Sequence, residues 1–390
     1  MALDFSKFGL HSPPFETYNH DYEMAGRENE WAALTETIQR YFERGGCQFI
    51  VLLGAYGQGK TYTVVRVYNR FKEEFPKTLV VKTIRGHPIR AMEAEPRTTL
   101  FGISLVQKIF FALGLQRLRE IVAKVDQNSL SQIKHRDSRR LFGALASDED
   151  DVAQSAFYLL TGEAQRGDAG VVGIGQMIRS SERALRILYE LLRLIRLSGY
   201  LHMLVLLDEF EYLIGMRSER QLGKVLGTFR NMFDEIGARY SESKGSMASI
   251  VIVFAISPEG WERLVQLERE SIKTGGGGIA PFMQRLRPDF RIVLQPFSLE
   301  DTKELFKIRL SKHRTRPLED PFYPFTEKAV AHLHEVGNKT PRRILQLAGI
   351  VLEDAILGEL PKIRPKDIER ILKRYPLPLG GSQIRKKSTR

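Results

Sequence analysis

The sequence predicts an α/β fold, a parallel β-sheet flanked by helices, which is followed by a region that is helical throughout. Short apolar runs alternate with helical patterns up to about residue 297. Such alternation is typical of a parallel sheet whose strands are joined by helices. Beyond residue 297 only helical patterns occur, so we expect a domain boundary there.

The elements follow one another from residue 26 onward. A first helix is predicted over 26–42, because Trp31, Leu34, Ile38 and Tyr41 recur at helical spacing. Predicted strands are CQFIVLLG, TLVVKTI, HMLVLLDEFEYL, SIVIVFAIS and FRIVLQPF. Predicted helices between and after them include TYTVVRVYNRFKEEF, TLFGISLVQKIFFALGL, a segment near 218–237, LEDTKELFKIRLSKH, TEKAVAHLHEV, TPRRILQLAGIVLEDAIL and RPKDIERILKRY.

Residues 115–198 interrupt the alternation with polar, acidic and glycine-rich stretches and one strongly amphipathic helix, 181–197. We interpret them as a helical insertion in the sheet domain. The expected organisation is an extended lead-in (1–24), an α/β core (25–297), a helical lid domain (298–375) and a basic flexible tail (376–390).

Composition limits the function classes. The formal charge of +12 and the pI near 9.6 favour contact with a polyanion such as DNA, although a basic tail on an ordinary protein gives the same excess. A single cysteine, Cys47, excludes an internal disulfide, and the histidines lack metal-ligand spacing. No apolar run is long enough to span a bilayer and no signal peptide is evident, so we expect a cytoplasmic protein.

The clearest motif is GAYGQGKT, which fits G-x-x-x-x-G-K-[ST] and lies between a predicted strand and a predicted helix. Glycines let backbone amides converge on phosphates, Lys60 reaches the β and γ oxygens, and the Thr61 hydroxyl binds Mg²⁺. The predicted ATP-binding residues here are Gly54, Ala55, Tyr56, Gly57, Gln58, Gly59, Lys60, Thr61 and Tyr62.

A second motif, LLDE, ends an apolar strand with two acids. Asp208 is expected to share the Mg²⁺ ion with Thr61, and Glu209 to polarise the water that attacks the γ-phosphate. A protein that only binds nucleotide needs the first acid, whereas the second indicates hydrolysis.

Two further positions remain open between alternatives. Ser257 ends the next strand and either contacts the attacking water or the γ-phosphate, or simply forms a turn. Arg285 and Arg287 follow the four glycines 275–278. One of them, with Arg285 preferred, either completes a neighbouring subunit's site in trans or is an ordinary surface arginine.

In this order of elements the chain resembles the AAA+ ATPases, specifically the initiator-like branch that contains the origin-recognition proteins. GRENEW (26–31) is similar to the box beside the adenine, which implies that Arg27 contacts the nucleotide. GAYGQGKT and LLDE resemble Walker A and Walker B, and Ser257 falls at the sensor 1 position, where Asn or Thr is more usual. QRLRPDF takes the place of the arginine finger, and Arg342 in TPRRILQLAG takes that of sensor 2.

A closer resemblance is to the prokaryotic ATP-binding family associated with BREX-type phage defence, through FYLLTGEAQ (157–165), IRLSGY and LVLLDEFEYL. It implies an ATP- and Mg²⁺-dependent enzyme that assembles with copies of itself, acts on DNA-associated complexes and has protein partners. The alternative is a nucleotide-controlled switch that recruits proteins without acting on DNA.

Helix 181–197 carries an arginine stripe, Arg183, Arg186, Arg193 and Arg196. The stripe either follows a phosphate backbone or pairs within its own helix on a solvated face, because Glu182 and Glu190 lie at pairing distance in sequence. The second interpretation is favoured.

Overall fold

The computed structural model describes residues 3–17, 25–83, 101–175, 180–211, 219–243, 245–274, 279–286 and 291–375. The chain divides into two compact units. Unit 1 comprises Met1–Glu28 and Gln295–Arg390, and unit 2 comprises Asn29–Leu294. The glycine run 275–278, Arg287 and the segment 376–390 lie outside the described residues.

Unit 2 is built on a parallel sheet, as the alternating sequence pattern predicts. In the described ranges its strands are β1 (Cys47–Leu53), β2 (Thr78–Thr83), β3 (His202–Leu207), β4 (Ser249–Ile256) and β5 (Arg291–Val293). They lie in the order β2-β3-β4-β1-β5, and every neighbouring pair is parallel. The sheet is the expected α/β architecture.

The register brings the carboxyl ends of three strands to one edge. Leu53 of β1 pairs with Ile256 of β4, and Leu207 of β3 pairs with Phe254 of β4. The residues that follow each strand therefore converge, since β4 separates β1 from β3 and all three run the same way.

Buried apolar side chains hold the sheet. All eight residues of β4 are buried, which suits a central strand covered on both faces. Phe49, Phe229, Phe254 and Phe282 form an aromatic cluster with ring centroids 5.2–6.4 Å apart. Each large apolar side chain that is fully buried contributes about 1.5–3 kcal/mol.

The helices of unit 2 cover the sheet and fill the long connection from β2 to β3. They are α1 (Glu28–Arg44), α2 (Lys60–Glu74), α3 (Phe101–Ala123), α4 (Gln127–Ser131), α5 (Arg136–Leu145), α6 (Asp150–Thr161), α7 (Asp168–Val172), α8 (Ser181–Leu197), α9 (Glu219–Glu242), α10 (Pro258–Thr274) and α11 (Ile279–Met283). Helix α3 continues past the expected end at residue 115 after a kink at Gly114, whose φ of 75° is non-helical. Helices α3 to α8 occupy the stretch between β2 and β3.

Unit 1 is helical. Its helices are α12 (Leu299–His313), α13 (Glu327–Val336), α14 (Pro341–Leu357) and α15 (Pro365–Arg374), with a short 3₁₀ helix at Phe5–Phe8. The N-terminal segment packs on them through Phe8, Leu10 and Phe15, which are buried in the same apolar cluster as Phe306. In the described ranges, no helix combines the length and apolar character needed to cross a bilayer.

Candidate functional site

The loop between β1 and α2 has the backbone that phosphate binding requires. Gly57 and Gly59 adopt φ of 82° and 95°, which glycine tolerates without strain. A Cβ on Gly54 would lie 3.2 Å from Leu294 and from the Lys60 side chain, so this position is tightly packed. The loop ends at the N-terminus of the 15-residue helix α2, where free backbone amides favour an anion.

Lys60, the first residue of α2, is buried and folded against this loop. Its Nζ donates to the carbonyl oxygens of Gly54 and Ala55 at 2.7 and 3.4 Å. Gln58 is also buried, whereas Tyr56 is 73% exposed at the crest of the loop. The nine residues from Gly54 to Tyr62 make up the loop and the start of α2; their contact with ATP stays a prediction.

A direct hydrogen bond joins the two motifs that the sequence places 147 residues apart. The Thr61 hydroxyl donates to Asp208 Oδ2 at 2.7 Å, and Asp208 Oδ1 accepts from the Glu209 amide at 2.9 Å. A hydroxyl beside a carboxylate is a hard oxygen pair of the kind that Mg²⁺ shares with nucleotide phosphates. These donors therefore fit the metal that the sequence predicts.

Glu209 stands in an unusual backbone conformation. Its φ is 55°, which costs a non-glycine residue of the order of 1 kcal/mol or more and is concentrated at functional sites. The following residue fixes the turn, because the Phe210 amide donates to the Ala255 carbonyl at 2.9 Å and its ring packs 4.5 Å from that of Phe254.

Glu211 is a third acid at this edge, and the sequence interpretation missed it. Its Oε1 lies 4.0 Å from Lys60 Nζ, and the two side chains are 28% and 10% exposed. Burial raises the pKa of Glu211, while backbone hydrogen bonds from Glu211 and Ser257 and the charge of Lys60 act in the opposite direction. The only sequence signal for it is the spacing D-E-F-E, three residues after Asp208.

Ser257 directly follows β4 and precedes α10. Its Oγ accepts a hydrogen bond from the Gly260 amide at 3.1 Å, which is the contact of a helix N-cap. This geometry matches the turn-forming alternative, and a contact between its hydroxyl and a phosphate or water stays a prediction.

Arg285 is engaged within its own chain. Its Nε and Nη2 donate to both carboxylate oxygens of Asp234 at 3.0 and 2.8 Å, and Nη1 donates to the Pro281 carbonyl at 2.8 Å. A trans-acting role requires Arg285 to leave this bidentate pair; that role remains a prediction, and its alternative, Arg287, lies outside the described residues.

Two predicted nucleotide contacts belong to unit 1. Arg27 is buried, donates to the Gln295 carbonyl at 2.5 Å and lies 4.8 Å from the centroid of the Phe297 ring. Arg342 occupies the first turn of α14 after Thr340. The Thr340 hydroxyl donates to the Asn338 carbonyl at 3.0 Å and does not cap the helix. Roles of Arg27 and Arg342 toward ATP stay predictions.

The arginine stripe of α8 is internally satisfied. Arg186 pairs with Glu182 at 2.6 Å, and Arg193 pairs with Glu190 at 3.0 Å, as the favoured interpretation holds. The expected solvated face is wrong for Glu190, whose side chain is only 7% exposed. Arg183 pairs instead with Asp137 of α5 at 2.6 Å, and Arg196 donates to the Gly245 carbonyl at 2.9 Å.

Comparisons with known proteins identify the architecture. Residues 113–305 match the family described as BREX system ATP-binding protein BrxC/D, a stretch that contains Asp208 and Glu209. No curated protein matches the sequence.

Among solved structures, the Aeropyrum pernix ORC2 protein in its ADPNP–ADP complexes is 14% identical, with a TM-score of 0.52 over 93% of this chain and 71% of that one. Its ADP form is also 14% identical, with a TM-score of 0.51 over 92% and 71%. Cdc6p from Pyrobaculum aerophilum is 12% identical, with a TM-score of 0.49 over 93% and 70%.

The ORC2 likeness supports the fold. The chain therefore has the fold of the Aeropyrum pernix ORC2 protein, and its residues 113–305 are similar to the BREX system ATP-binding proteins BrxC/D.

Proposed function

We propose that this protein is a Mg²⁺-dependent ATPase that couples hydrolysis to the remodelling or loading of DNA-associated complexes. The observation that carries the proposal is the 2.7 Å hydrogen bond between Thr61 and Asp208. It places the two motifs that bind and cleave nucleotides in other P-loop proteins at one edge of one sheet.

Each residue has a defined task. The loop amides from Gly54 to Thr61 and the Lys60 ammonium bind the phosphates. Thr61 and Asp208 would hold Mg²⁺, which when bound neutralises charge on the β and γ oxygens. Glu209 orients a water and accepts its proton as that water attacks the γ-phosphate, so the terminal phosphate leaves and ADP remains.

The regulatory assignments extend this proposal. Arg342 and Arg27 bind the nucleotide, Ser257 helps to position the water, and Arg285 or Arg287 acts on the site of a neighbouring copy in a homo-oligomer. The setting is the cytoplasm, and phage defence is supported by the similarity to the BREX system proteins over residues 113–305.

Nucleotide binding is tested with Lys60→Ala and its matched control Lys72→Ala, which removes an exposed lysine from the last turn of the same helix. We expect Lys60→Ala to lose ATP binding in calorimetry and to lose turnover, because no other side chain of the loop carries a positive charge. Lys72→Ala should keep both. Wild-type turnover in Lys60→Ala would contradict the site.

The net charge of +12 supports action on DNA through its phosphates. The test is ATPase activity with duplex and single-stranded DNA over a series of salt concentrations. Stimulation that falls steeply with salt is expected, since phosphate contacts release counterions.

The alternative function, a nucleotide-controlled switch that recruits proteins, is favoured by the pairing of all four arginines in the α8 stripe. Those side chains already have internal partners. ATPase activity that does not respond to DNA, together with ATP-dependent binding of another protein, would support the switch and contradict the DNA function.

A further inference from the structure

Glu211 occupies a position from which it controls Lys60. The carboxylate lies 4.0 Å from Lys60 Nζ at the edge where the ends of β1, β3 and β4 meet. The flanking Phe210 is buried against Phe254 and its amide is bonded to Ala255. This anchor fixes the backbone on the N-terminal side of Glu211.

The start of α10 restrains the same residue from another direction. A Cβ built on Gly260 would lie 3.0 Å from the Glu211 Cβ, so the start of α10 lies close against the base of the Glu211 side chain. Gly260 is itself fixed, because its amide donates to Ser257 Oγ. A shift of the Glu211 backbone away from Lys60 therefore requires rearrangement of this packed turn.

The Lys60 ammonium can donate only a limited number of hydrogen bonds. An ammonium carries three donors, and the carbonyl oxygens of Gly54 and Ala55 already accept from it. Glu211 adds a negative charge within ion-pair distance. A phosphate that reaches Lys60 must share Nζ with these oxygens and must also approach a carboxylate of its own sign.

We propose that Glu211 is a positioning residue that acts through Lys60, lowering nucleotide affinity and speeding the release of ADP. The inference rests on the proposed function, in which Lys60 binds the phosphates. The role of Glu211 differs from that of Glu209. Glu211 does not orient or deprotonate the attacking water; it restrains Lys60, the cation that binds the phosphates.

The test is the binding and release of ADP in the presence of Mg²⁺ by the full chain, for wild type, Glu211→Gln and Glu259→Gln. Glu259 is the matched control, because it lies in the first turn of α10 and is exposed. Calorimetry gives the dissociation constant, and stopped-flow displacement of a fluorescent ADP analogue gives the release rate.

For Glu211→Gln we expect a dissociation constant about threefold to tenfold lower, the range of a partly buried ion pair. The release rate should fall by a similar factor, because interactions at a site act mainly on dissociation. Glu259→Gln should match the wild type. A purely structural role would instead lower the melting temperature and leave affinity unchanged or weakened.

Glu211→Asp provides a second variant in case Glu211→Gln fails to fold. Its shorter side chain keeps the negative charge but moves it away from Lys60 Nζ. We expect an ADP affinity between those of the wild type and Glu211→Gln. Equal or weaker ADP binding in a folded Glu211 variant would overturn the inference while leaving the proposed function intact. Failure of the wild type to bind ADP would overturn the proposed function and the inference together.

Discussion

The pair between Arg285 and Asp234 gives a prediction whose size follows from the structure. Arg285→Ala removes two hydrogen bonds to the Asp234 carboxylate and one to the Pro281 carbonyl. The side chains are 24% and 40% exposed, so solvent screens the pair and the full value of a buried charged contact does not apply. The bidentate geometry places the pair at the upper end for exposed ion pairs, and we expect a loss of about 1–2 kcal/mol.

Thermal and urea unfolding measure this loss. For a domain of this size 1 kcal/mol corresponds to about 2–4 °C in melting temperature. The matched control is Arg230→Ala, because Arg230 approaches the same Asp234 Oδ2 at 3.4 Å through a single contact and is 43% exposed. We expect that variant to lose at most about 0.5 kcal/mol.

A double-mutant cycle of Arg285→Ala with Asp234→Ala isolates the pair, and a coupling energy of about 1 kcal/mol is expected. ATPase activity separates a structural from a catalytic role of Arg285. Asp234→Ala breaks the ion pair but keeps the Arg285 side chain, whereas Arg285→Ala removes that side chain. If Arg285 acts in trans, activity falls only in Arg285→Ala and returns on mixing with Lys60→Ala. A coupling energy near zero would refute the pairing deduced from the structure.

Three further predictions concern the contributions of His202, Gly45 and Ser257, which lie at or next to strand ends, to the stability of the fold. Burial, with the charge of Arg196, lowers the pKa of His202 to about 4 from 6.5. The neutral ring of the folded protein therefore contributes stability that is present above about pH 6.5 and is lost as the pH falls toward 4. His202→Gln should flatten the pH dependence of the unfolding free energy, measured with urea, over that interval, and an unchanged slope would contradict the assignment. Gly45→Ala should lower the free energy of unfolding by about 2 kcal/mol or more, because φ is 71° and the new Cβ would lie 2.1 Å from the Tyr240 ring. Its control, Gly227→Ala on α9, has open space around the new Cβ and should be neutral or stabilise the protein by up to about 1 kcal/mol. Equal denaturation midpoints for the two variants would be inconsistent with this packing. Ser257→Ala should cost about 1 kcal/mol of stability through its N-cap bond to Gly260, and a loss of ATP turnover without a loss of stability would assign the hydroxyl to the water instead.

The sequence predicted the parts of this protein whose signals are local. GAYGQGKT and LLDE each combine an apolar strand with the residues that end it, so the sheet and the loop near Lys60 follow from short stretches. Helix α8 spans Ser181–Leu197, the interval that its apolar periodicity predicts.

Contacts between distant segments were not predictable in the same way. Glu211 meets Lys60 only because β4 brings the ends of β1 and β3 to one edge. Asp234 reaches Arg285 across 51 residues, and Asp137 reaches Arg183 across 46. No periodicity or motif marks such partners, since their pairing depends on how whole helices pack.

Single-turnover hydrolysis of Mg-ATP by Glu209→Gln, compared with wild type and with Glu259→Gln, tests whether the protein is an ATPase that uses Glu209 as its general base. We expect Glu209→Gln to bind ATP as tightly as the wild type and to hydrolyse it at least about a hundredfold more slowly, the usual contribution of a general base. Glu259→Gln should hydrolyse at the wild-type rate. Hydrolysis by Glu209→Gln at the wild-type rate would contradict the role of Glu209 as the general base.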